Sequence, residues 1–244
     1  MFYWRSEARH GWQIAFSDLP AGSLSQSVPE DSRALENRES LRLELGLNAG
    51  FQFMSQVHGR DIVELNEPVD QPVADGLISA ELSLAVMVAD CLPVILLADT
   101  PKGTLAAAVH AGRRGVLNGI LPRAVERLRA REGSNIEAWI GPAICGSCYE
   151  VPAEMRAEST AFLPELWAET SWGTPSLDLR AGATAQLLDC GARVNQVAVC
   201  TFETPELYSH RASGHSGRAE GRFAGLVYRT PTESTTQSAE AGSR

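Results

Sequence analysis

Three side chains that could bind a soft metal ion stand beside backbone-bending residues in separate parts of the chain. His58 lies in the segment QVHG, Cys91 in ADCLP and His110 in VHAG. Imidazole nitrogen and thiolate sulfur are common zinc ligands, and a set of three protein ligands leaves one position for water, as in catalytic zinc sites. The residue types therefore suggest a catalytic centre with two histidines and one cysteine.

The elements around these residues decide whether they can meet. Cys91 lies between apolar, strand-like runs at 84–88 and 93–97, and His110 ends a third run that begins at 104. Neighbouring strands would hold both side chains close together in a dry environment. The same pattern also fits a histidine packed in the core and a buried free cysteine. Because the residues form no compact motif, spacing alone leaves both interpretations open.

Hydrophobic periodicity predicts the remaining elements. A helix is expected at 31–47 and another at 115–131, where Pro122 should kink it. Further helices are expected at 153–163 and 179–190, and further strands at 13–16, 136–140, 194–200 and 222–228. Helices and strands in no strict alternation predict an α+β fold, a single layered α/β/α domain with a mixed β-sheet. The domain should span 1–229, and the Ser/Thr/Glu-rich segment 230–244 is expected to be a disordered tail.

Composition and charge exclude several classes of protein. The chain has 244 residues, of which 44% are hydrophobic, and a formal net charge of −9. The negative charge argues against a general nucleic-acid binder, because phosphate neutralisation dominates such binding. The first residues lack the apolar core of a secretory signal, and no apolar run is long enough to cross a membrane, so a cytoplasmic location is expected. The odd number of cysteines, five, indicates reduced thiols.

Six segments, in one order along nearly the whole chain, resemble the YfiH or laccase-domain family, also called peptidoglycan editing factor or polyphenol-oxidase-like proteins. They are QVHGRDIV (56–63), ADGLIS (74–79), LAVMVADCLPVILLAD (84–99), AAVHAGRRGVLNGIL (107–121), IGPAICGSCYEV (140–151) and LYSHRASGHSGR (207–218). The resemblance implies that His58, Cys91 and His110 bind zinc and serve in catalysis.

The resemblance also implies purine nucleoside chemistry. The reactions are phosphorolysis of adenosine, inosine and methylthioadenosine, with inorganic phosphate as co-substrate, and hydrolytic deamination of adenosine. Zinc lowers the pKa of a bound water towards about 7, which suits attack on a purine C6. Small nucleosides are therefore the expected partners, without nucleic acid or membrane, and the chain is expected to be a monomer or a homodimer.

Phosphorolysis requires a site for phosphate, which arginine binds well because its guanidinium is bidentate. The family has an Asn-Arg pair with a phosphate-binding role, and Asn37 and Arg38 match it here. Arg211 and Arg218 lie in a Gly/Ser-rich segment that could wrap a phosphate or a sugar. Each arginine could equally be a solvated residue of the surface.

Neighbouring polar side chains should orient the metal ligands. Asp75 and Gln56 are the candidates, because a metal-bound imidazole usually donates its other nitrogen to a carboxylate or a carbonyl. Asp90 should point away from the side of Cys91 if the strand stays extended. Arg113 departs from the family, which commonly has tryptophan at this position. If Arg113 faces the site, its positive charge should favour phosphate over apolar ligands. If Arg113 faces away, it only caps the start of the following helix.

Cys145 and Cys148 form a C-x-x-C pair. A zinc ribbon would require a second cysteine pair, and a redox pair should open a helix directly. We therefore expect a turn in which the two cysteines pack against their surroundings.

Three alternative functions remain open. Two histidines, Cys91 and the nearby Met87 are also the ligand types of a blue copper centre, so copper could bind in vitro and support polyphenol oxidase activity. However, five histidines without an H-x-H pair cannot build the trinuclear cluster of a laccase. A metal-free hydrolase of peptidoglycan precursors could use Cys91 as nucleophile and His110 as base. The chain could also bind zinc without any enzymatic activity.

Overall fold

The computed structural model describes residues 1–26 and 33–230. The expected disordered tail therefore lies outside the described residues except for Thr230, as do the first two residues of the helix expected at 31–47.

Strands and α-helices alternate irregularly along the described chain. The strands are β1 Phe2–Glu7, β2 Trp12–Ser17, β3 Ile62–Glu64, β4 Gly76–Ser79, β5 Leu84–Val88, β6 Leu92–Thr100, β7 Gly103–Ala111, β8 Ser134–Ile140, β9 Trp167–Glu169, β10 Pro175–Leu177, β11 Arg193–Gln196 and β12 Phe223–Arg229. The α-helices are α1 Ala34–Glu44, α2 Arg113–Leu117, α3 Ile120–Arg129, α4 Ala153–Phe162, α5 Leu179–Asp189 and α6 His210–Ser216.

A six-stranded sheet with the order β11-β8-β6-β7-β4-β3 forms the centre of the molecule. Its inner strands are antiparallel, whereas the edge pairs β11 with β8 and β3 with β4 are parallel. Strands β6 and β7 pair along their whole length, from Leu92 opposite Ala111 to Thr100 opposite Gly103. Both strands are buried on both faces, which is why their sequences are continuous apolar runs rather than alternating ones.

A second, antiparallel sheet with the order β1-β2-β12-β5 packs against one face of the first. Trp12, Val86 and Ile95 lie in the apolar layer between the two sheets. The other face of the six-stranded sheet is covered by α2, α3 and α5, and the outer face of the four-stranded sheet by α1. The predicted α+β fold with a mixed sheet is confirmed, with two β-layers between the helices.

One predicted helix is interrupted in the structure, and one predicted strand is shorter than expected. Two helices, α2 and α3, occupy the region of the single helix expected at 115–131, and Gly119 between them has φ +73°. Pro122 lies in the first turn of α3, where a missing N–H costs little, so glycine rather than proline breaks the helix. The strand expected at 194–200 ends at Gln196, and Cys200 forms only an isolated bridge with Ala143.

Among the described residues, no helix combines the length and the apolar character that crossing a membrane would require.

Candidate metal centre

Strands β6 and β7 bring Cys91 and His110 together. Cys91 immediately precedes β6, and His110 is the penultimate residue of β7, opposite Pro93. Because side chains alternate along a strand, Cys91, Pro93 and His110 point towards the four-stranded sheet. His110 is only 3% exposed and Cys91 is half-buried. The central strand pair therefore holds both side chains on one face at a largely dry edge.

His58 reaches the same place from the loop before β3. Its φ of +58° lies in the left-handed region, which a β-carbon disfavours. The Asp75 carboxylate holds this conformation by accepting hydrogen bonds from the N–H groups of Val57 at 3.2 Å, His58 at 2.9 Å and Gly59 at 2.6 Å. Asp75 therefore fixes the direction in which the His58 side chain leaves the loop.

The same Asp75 orients His110. Asp75 Oδ1 lies 2.8 Å from His110 Nδ1, and the Asp75 carbonyl accepts the His110 N–H at 2.7 Å. Burial raises the pKa of the Asp75 carboxyl, but hydrogen bonds from His110 and Gly59 lower it more, so the fully buried group is ionised. With Nδ1 donating to the carboxylate, Nε2 is the nitrogen of His110 that remains for a metal ion.

The ligand atoms of His58, Cys91 and His110 converge, and these three residues form the open cluster. One nitrogen of each imidazole and the Cys91 sulfur all lie within 4.8 Å of one another. Cys91 Sγ is 3.8 Å from His58 Nε2, and the two imidazole rings cross at 81° with their centroids 4.7 Å apart. Zinc bonds of about 2.0–2.3 Å place tetrahedral ligands roughly 3.3–3.8 Å apart. The open cluster therefore fits a zinc ion after a small contraction.

Gly112 provides the space that the open cluster occupies. Its φ of −73° is open to any residue, so the backbone does not require glycine. A β-carbon at this position, however, would lie only 3.0 Å from both Cys91 Sγ and His58 Cδ2. The close approach of Cys91 and His58 therefore explains why glycine occupies position 112.

The open cluster ionises readily. Burial raises the pKa of the Cys91 thiol, but hydrogen bonds from His110 and His58 outweigh burial and lower the pKa to about 6. Burial likewise lowers the pKa of His110, whereas Asp75 and Cys91 raise it to about 9. At neutral pH Cys91 is therefore a thiolate beside a protonated His110. A metal ion would take the thiolate and displace the proton from the imidazole.

A cavity of about 500 Å³ opens onto the open cluster. This volume falls in the range of small-molecule sites. Four arginines also line the cavity, in segments far apart in the sequence: Arg38, Arg113, Arg211 and Arg222. A cavity that combines soft metal ligands with guanidinium groups suits a small ligand that carries negative charge.

Arg38 is the arginine best placed to hold an anion. Its Nε donates to the Leu24 carbonyl at 2.8 Å, and its guanidinium carbon lies 3.7 Å from the centroid of the Phe53 ring. Burial lowers its pKa to about 10, which leaves it charged at neutral pH. Within the described part of the chain, no carboxylate forms an ion pair with it. Arg38 is therefore a part-buried cation that lines the cavity and has no anionic partner in residues 1–26 and 33–230.

Asn37 does not line the cavity, whereas Gln56 does. Asn37 Nδ2 donates to the Ser23 carbonyl at 2.8 Å, so its amide supports the loop before α1 and is not among the residues that line the cavity. Gln56 lines the cavity and pairs with the backbone of Met87, donating to its carbonyl at 2.6 Å and accepting its N–H at 2.9 Å. Gln56 therefore ties the loop that carries His58 to β5.

The side chains of Arg211 and Arg218 likewise have different surroundings. Arg211 lines the cavity, donates to the Glu150 carbonyl at 3.0 Å and lies over the Tyr149 ring. The Arg218 guanidinium instead donates to backbone carbonyls, among them Phe202 at 2.9 Å and Leu207 at 2.5 Å, and it is not among the residues that line the cavity. Arg218 therefore braces a loop rather than facing the open cluster.

Asp90 does not contact the metal-ligand histidines. It has φ +85°, and its carboxylate accepts from Thr201 Oγ1 at 2.6 Å and from the Arg211 N–H at 2.7 Å. The carboxylate thus joins the segment after β5 to the start of α6. Asp90 is adjacent to Cys91 in the sequence, but its side chain contacts different residues.

Arg113 and Tyr149 meet on one wall of the cavity. Arg113 is the first residue of α2 and also lines the cavity, so the two expectations for this position are compatible. Burial raises the pKa of the Tyr149 hydroxyl, while a hydrogen bond with Arg113 works against that rise. Sequence reasoning did not single out Tyr149, although it follows the C-x-x-C pair inside a segment that matches the family.

The described residues do not assemble the trinuclear histidine cluster of a laccase. Met87 lines the same cavity as the open cluster, and its sulfur accepts a hydrogen bond from Arg38 Nη2 at 3.6 Å. Of the other histidines, His10 pairs with Asp99 and His210 with Glu220. No group of three histidines forms in the described part of the chain.

Several known proteins are similar to this chain in sequence. Residues 15–230 match the family described as multi-copper polyphenol oxidoreductase laccase. A purine nucleoside phosphorylase of Streptomyces coelicolor is 44% identical over 216 residues, which cover 84% of this chain and 87% of the relative. One from Mycobacterium tuberculosis is 43% identical over 219 residues, covering 84% of each chain.

Solved structures agree with these sequence matches. The crystal structure of YlmD from Geobacillus stearothermophilus superposes with a TM-score of 0.75 at 27% identity and covers 95% of this chain and all of that one, 100%. A protein of Neisseria meningitidis gives a TM-score of 0.77 at 25% identity with the same two coverages, 95% and 100%. The chain therefore belongs to the laccase-domain or YfiH family, as its six sequence segments predicted.

Proposed function

We propose that this protein is a purine nucleoside phosphorylase that binds the nucleoside in the cavity next to the open cluster and phosphate at Arg38. The observation that carries the proposal is that Arg38, a part-buried cation without a carboxylate partner among the described residues, lines the same cavity as His58, Cys91 and His110. The names of the relatives from Streptomyces and Mycobacterium support the same reaction.

Phosphorolysis needs an anion held against the ribose while the purine base leaves. Arg38 is fixed by the Leu24 carbonyl and the Phe53 ring, so its remaining N–H groups are available to phosphate without much loss of side-chain entropy. Arg211 and Arg113 add positive charge next to Tyr149. This arrangement would hold phosphate in one orientation and exclude bulk water from part of the cavity.

The metal belongs to the same proposal. His58, Cys91 and His110 would hold a zinc ion, because their spacing, the low pKa of the thiol and the position of His110 Nε2 beside Cys91 all suit one. Zinc bound there would supply Lewis acidity at the wall of the cavity and lower the pKa of water. That chemistry suits deamination of adenosine, which we include in the proposal beside phosphorolysis of adenosine, inosine and methylthioadenosine.

The role of Arg38 can be tested against Arg42, which lies one turn further along α1. Arg42 is paired with Glu39 and is not among the residues that line the cavity, so it is a matched control. A charge-assisted contact is worth about 1.5–3 kcal/mol, or about a 10- to 150-fold loss. Arg38→Ala should raise the KM for phosphate by that factor, leave zinc content unchanged and affect deamination less, whereas Arg42→Ala should change none of these. Equal losses in both reactions would show that Arg38 orders the site instead of binding phosphate.

A metal-free cysteine hydrolase is the second candidate. The specific observation in its favour is that Cys91, His110 and Asp75 form a chain of a thiolate, an imidazole and a buried carboxylate. Such a chain can activate a nucleophile without metal. Chelation separates the two proposals, because it should abolish the zinc-dependent reactions, whereas hydrolysis through a free Cys91 thiolate would survive or increase.

A further inference from the structure

A second group of soft ligands lies on the loops that follow β8 and β11. Cys145, Cys148, Cys200 and Glu203 form this closed cluster, and one ligand atom from each lies within 4.8 Å of all the others. Tetrahedral zinc with sulfur ligands needs separations of roughly 3.8 Å. Four ligands that converge within 4.8 Å match the ligand number of a structural zinc site, in which no position is left for substrate.

The two halves of the closed cluster have the same sequence spacing. Cys145 and Cys148 are separated by two residues, and so are Cys200 and Glu203. The second half replaces one cysteine by glutamate, which is why the sequence did not reveal a second pair. An isolated parallel bridge between Ala143 and Cys200 joins the two loops and sets the halves against each other.

Backbone N–H groups point at the sulfur atoms in both halves. The Cys145 N–H donates to Cys200 Sγ at 3.5 Å. The backbone of Glu203 also hydrogen-bonds the Cys200 sulfur, and the backbone of Ser147 hydrogen-bonds the Cys145 sulfur. Hydrogen bonds of this kind favour the thiolate over the thiol. Burial and the neighbouring thiols keep the pKa of Cys148 and Cys200 above the usual value, so these hydrogen bonds would stabilise the thiolates once a metal ion displaces the protons.

Arg180 places a positive charge beside the closed cluster. Its Nη2 donates to the Val199 carbonyl at 2.9 Å, and the charges of Cys145 and Cys200 act on it. Among the described residues, its buried Nε has no hydrogen-bond partner. Three thiolates and a carboxylate around a divalent ion leave a net negative charge, which a neighbouring guanidinium would partly offset.

We propose that Cys145, Cys148, Cys200 and Glu203 bind a second, structural zinc ion, independent of the open cluster. The thiol protons leave to solvent as zinc binds. The ion would tie the loop after β8 to the loop after β11. The first loop carries Ile144 and Tyr149, which line the cavity, and Thr201 in the second loop donates to Asp90. The second zinc therefore holds one wall of the cavity in place.

The number of zinc ions per chain tests this proposal, by elemental analysis of protein purified under reducing conditions. We expect two in the wild type, one in Cys148→Ser, one in His58→Ala and two in Cys190→Ser, because Cys190 is a lone cysteine outside both clusters. The exposed Glu203 gives a variant that should fold regardless. Glu203→Gln should weaken the second zinc by at least about 10-fold in competition with a chelator, with the first unchanged.

Cobalt substitution identifies the ligands by a second measurement. Thiolate-to-cobalt charge transfer from the closed cluster should be about three times that of the open cluster, since three sulfurs bind instead of one. The signal that remains in His58→Ala should therefore be the stronger one. A wild type with one zinc that is lost entirely in His58→Ala would overturn the proposal, as would a Cys145–Cys148 or Cys145–Cys200 disulfide in the reduced preparation. Neither outcome depends on nucleoside turnover, so failure here leaves the proposed function standing.

Discussion

The open and the closed cluster have similar ligands in different surroundings. The open cluster takes Cys91 and His110 from the ends of two central strands, and the single buried carboxylate of Asp75 positions both of its histidines. The closed cluster takes its ligands from two turns, and backbone N–H groups point at its sulfurs. Three ligands beside a cavity are suited to chemistry, whereas four ligands that surround one point are suited to holding loops together. The number of ligands and what lies beside them distinguish the two sites, and the residue types alone do not.

The largest contrast concerns the acidity of the thiols after metal is removed. Neighbouring histidines lower the pKa of Cys91 to about 6 despite burial, whereas burial and nearby groups raise the pKa of Cys148 to about 12. We expect iodoacetamide to label Cys91 roughly 100-fold faster than Cys148 at pH 7, because a much larger thiolate fraction outweighs its lower intrinsic nucleophilicity. Peptide mass spectrometry across pH 5–10 should show labelling of Cys91 level off above about pH 6. Equal rates at both cysteines would contradict the contrast.

Asp75→Asn tests the carboxylate that distinguishes the open cluster. The amide keeps the shape of the side chain but loses the charge that orients the His110 imidazole and accepts the His58 backbone N–H, so zinc affinity at the open cluster should fall 10- to 100-fold. Competition with a chromophoric chelator measures this fall. The closed cluster does not contact Asp75, and its metal should be unaffected. An unchanged affinity at the open cluster would show that the strands alone position the ligands.

Gly112→Ala tests how tightly the open cluster is packed. The new methyl group would lie 3.0 Å from Cys91 Sγ and His58 Cδ2, so zinc affinity should fall by roughly 10-fold while the fold is retained. Gly50→Ala is the matched control, because no atom lies within 4 Å of the β-carbon it would add. If both variants bind zinc as the wild type does, the open cluster has more room than the structure indicates.

Arg113→Trp should have the smallest effect. Removing this cation from the wall beside Tyr149 should raise the KM for phosphate a few-fold and lower that for methylthioadenosine, because an indole provides an apolar surface. Steady-state kinetics with both substrates measure the two changes. If both constants stay within about twofold of the wild type, side-chain contacts at position 113 have no part in substrate binding.

Most of the central fold followed from the sequence because buried strands have a strong hydrophobic signal. The apolar runs around Cys91 and before His110 correspond to β5, β6 and β7. The strand expected to continue to residue 200 ends at Gln196 in β11. The apolar residues from Val197 to Cys200 are partly buried in a loop rather than paired in the sheet. The break at Gly119 was missed since glycine is tolerated within helices and proline was the stronger signal.

The candidate site was only partly accessible from the sequence. The proximity of His58, Cys91 and His110 and the cavity position of Arg38 agree with what the resemblance implied. The different positions of Arg211 and Arg218 could not be predicted, because one α6 residue and one loop residue in the same polar segment turn in different directions. Glu203 could not be predicted as a ligand, because a carboxylate in a loop gives no signal in the sequence until the fold brings it to three cysteines.

Product analysis of a zinc-depleted and reloaded protein tests the central claim most directly. The protein would be incubated with inosine and phosphate before chelation, after chelation and after two equivalents of zinc, one for each cluster, are returned, and His110→Ala would be treated in parallel. Our account predicts hypoxanthine with ribose 1-phosphate in the first and third samples, little in the second, and none in the variant. Free ribose in place of ribose 1-phosphate, or turnover that persists without zinc, would contradict a metal-dependent phosphorylase centred on the open cluster.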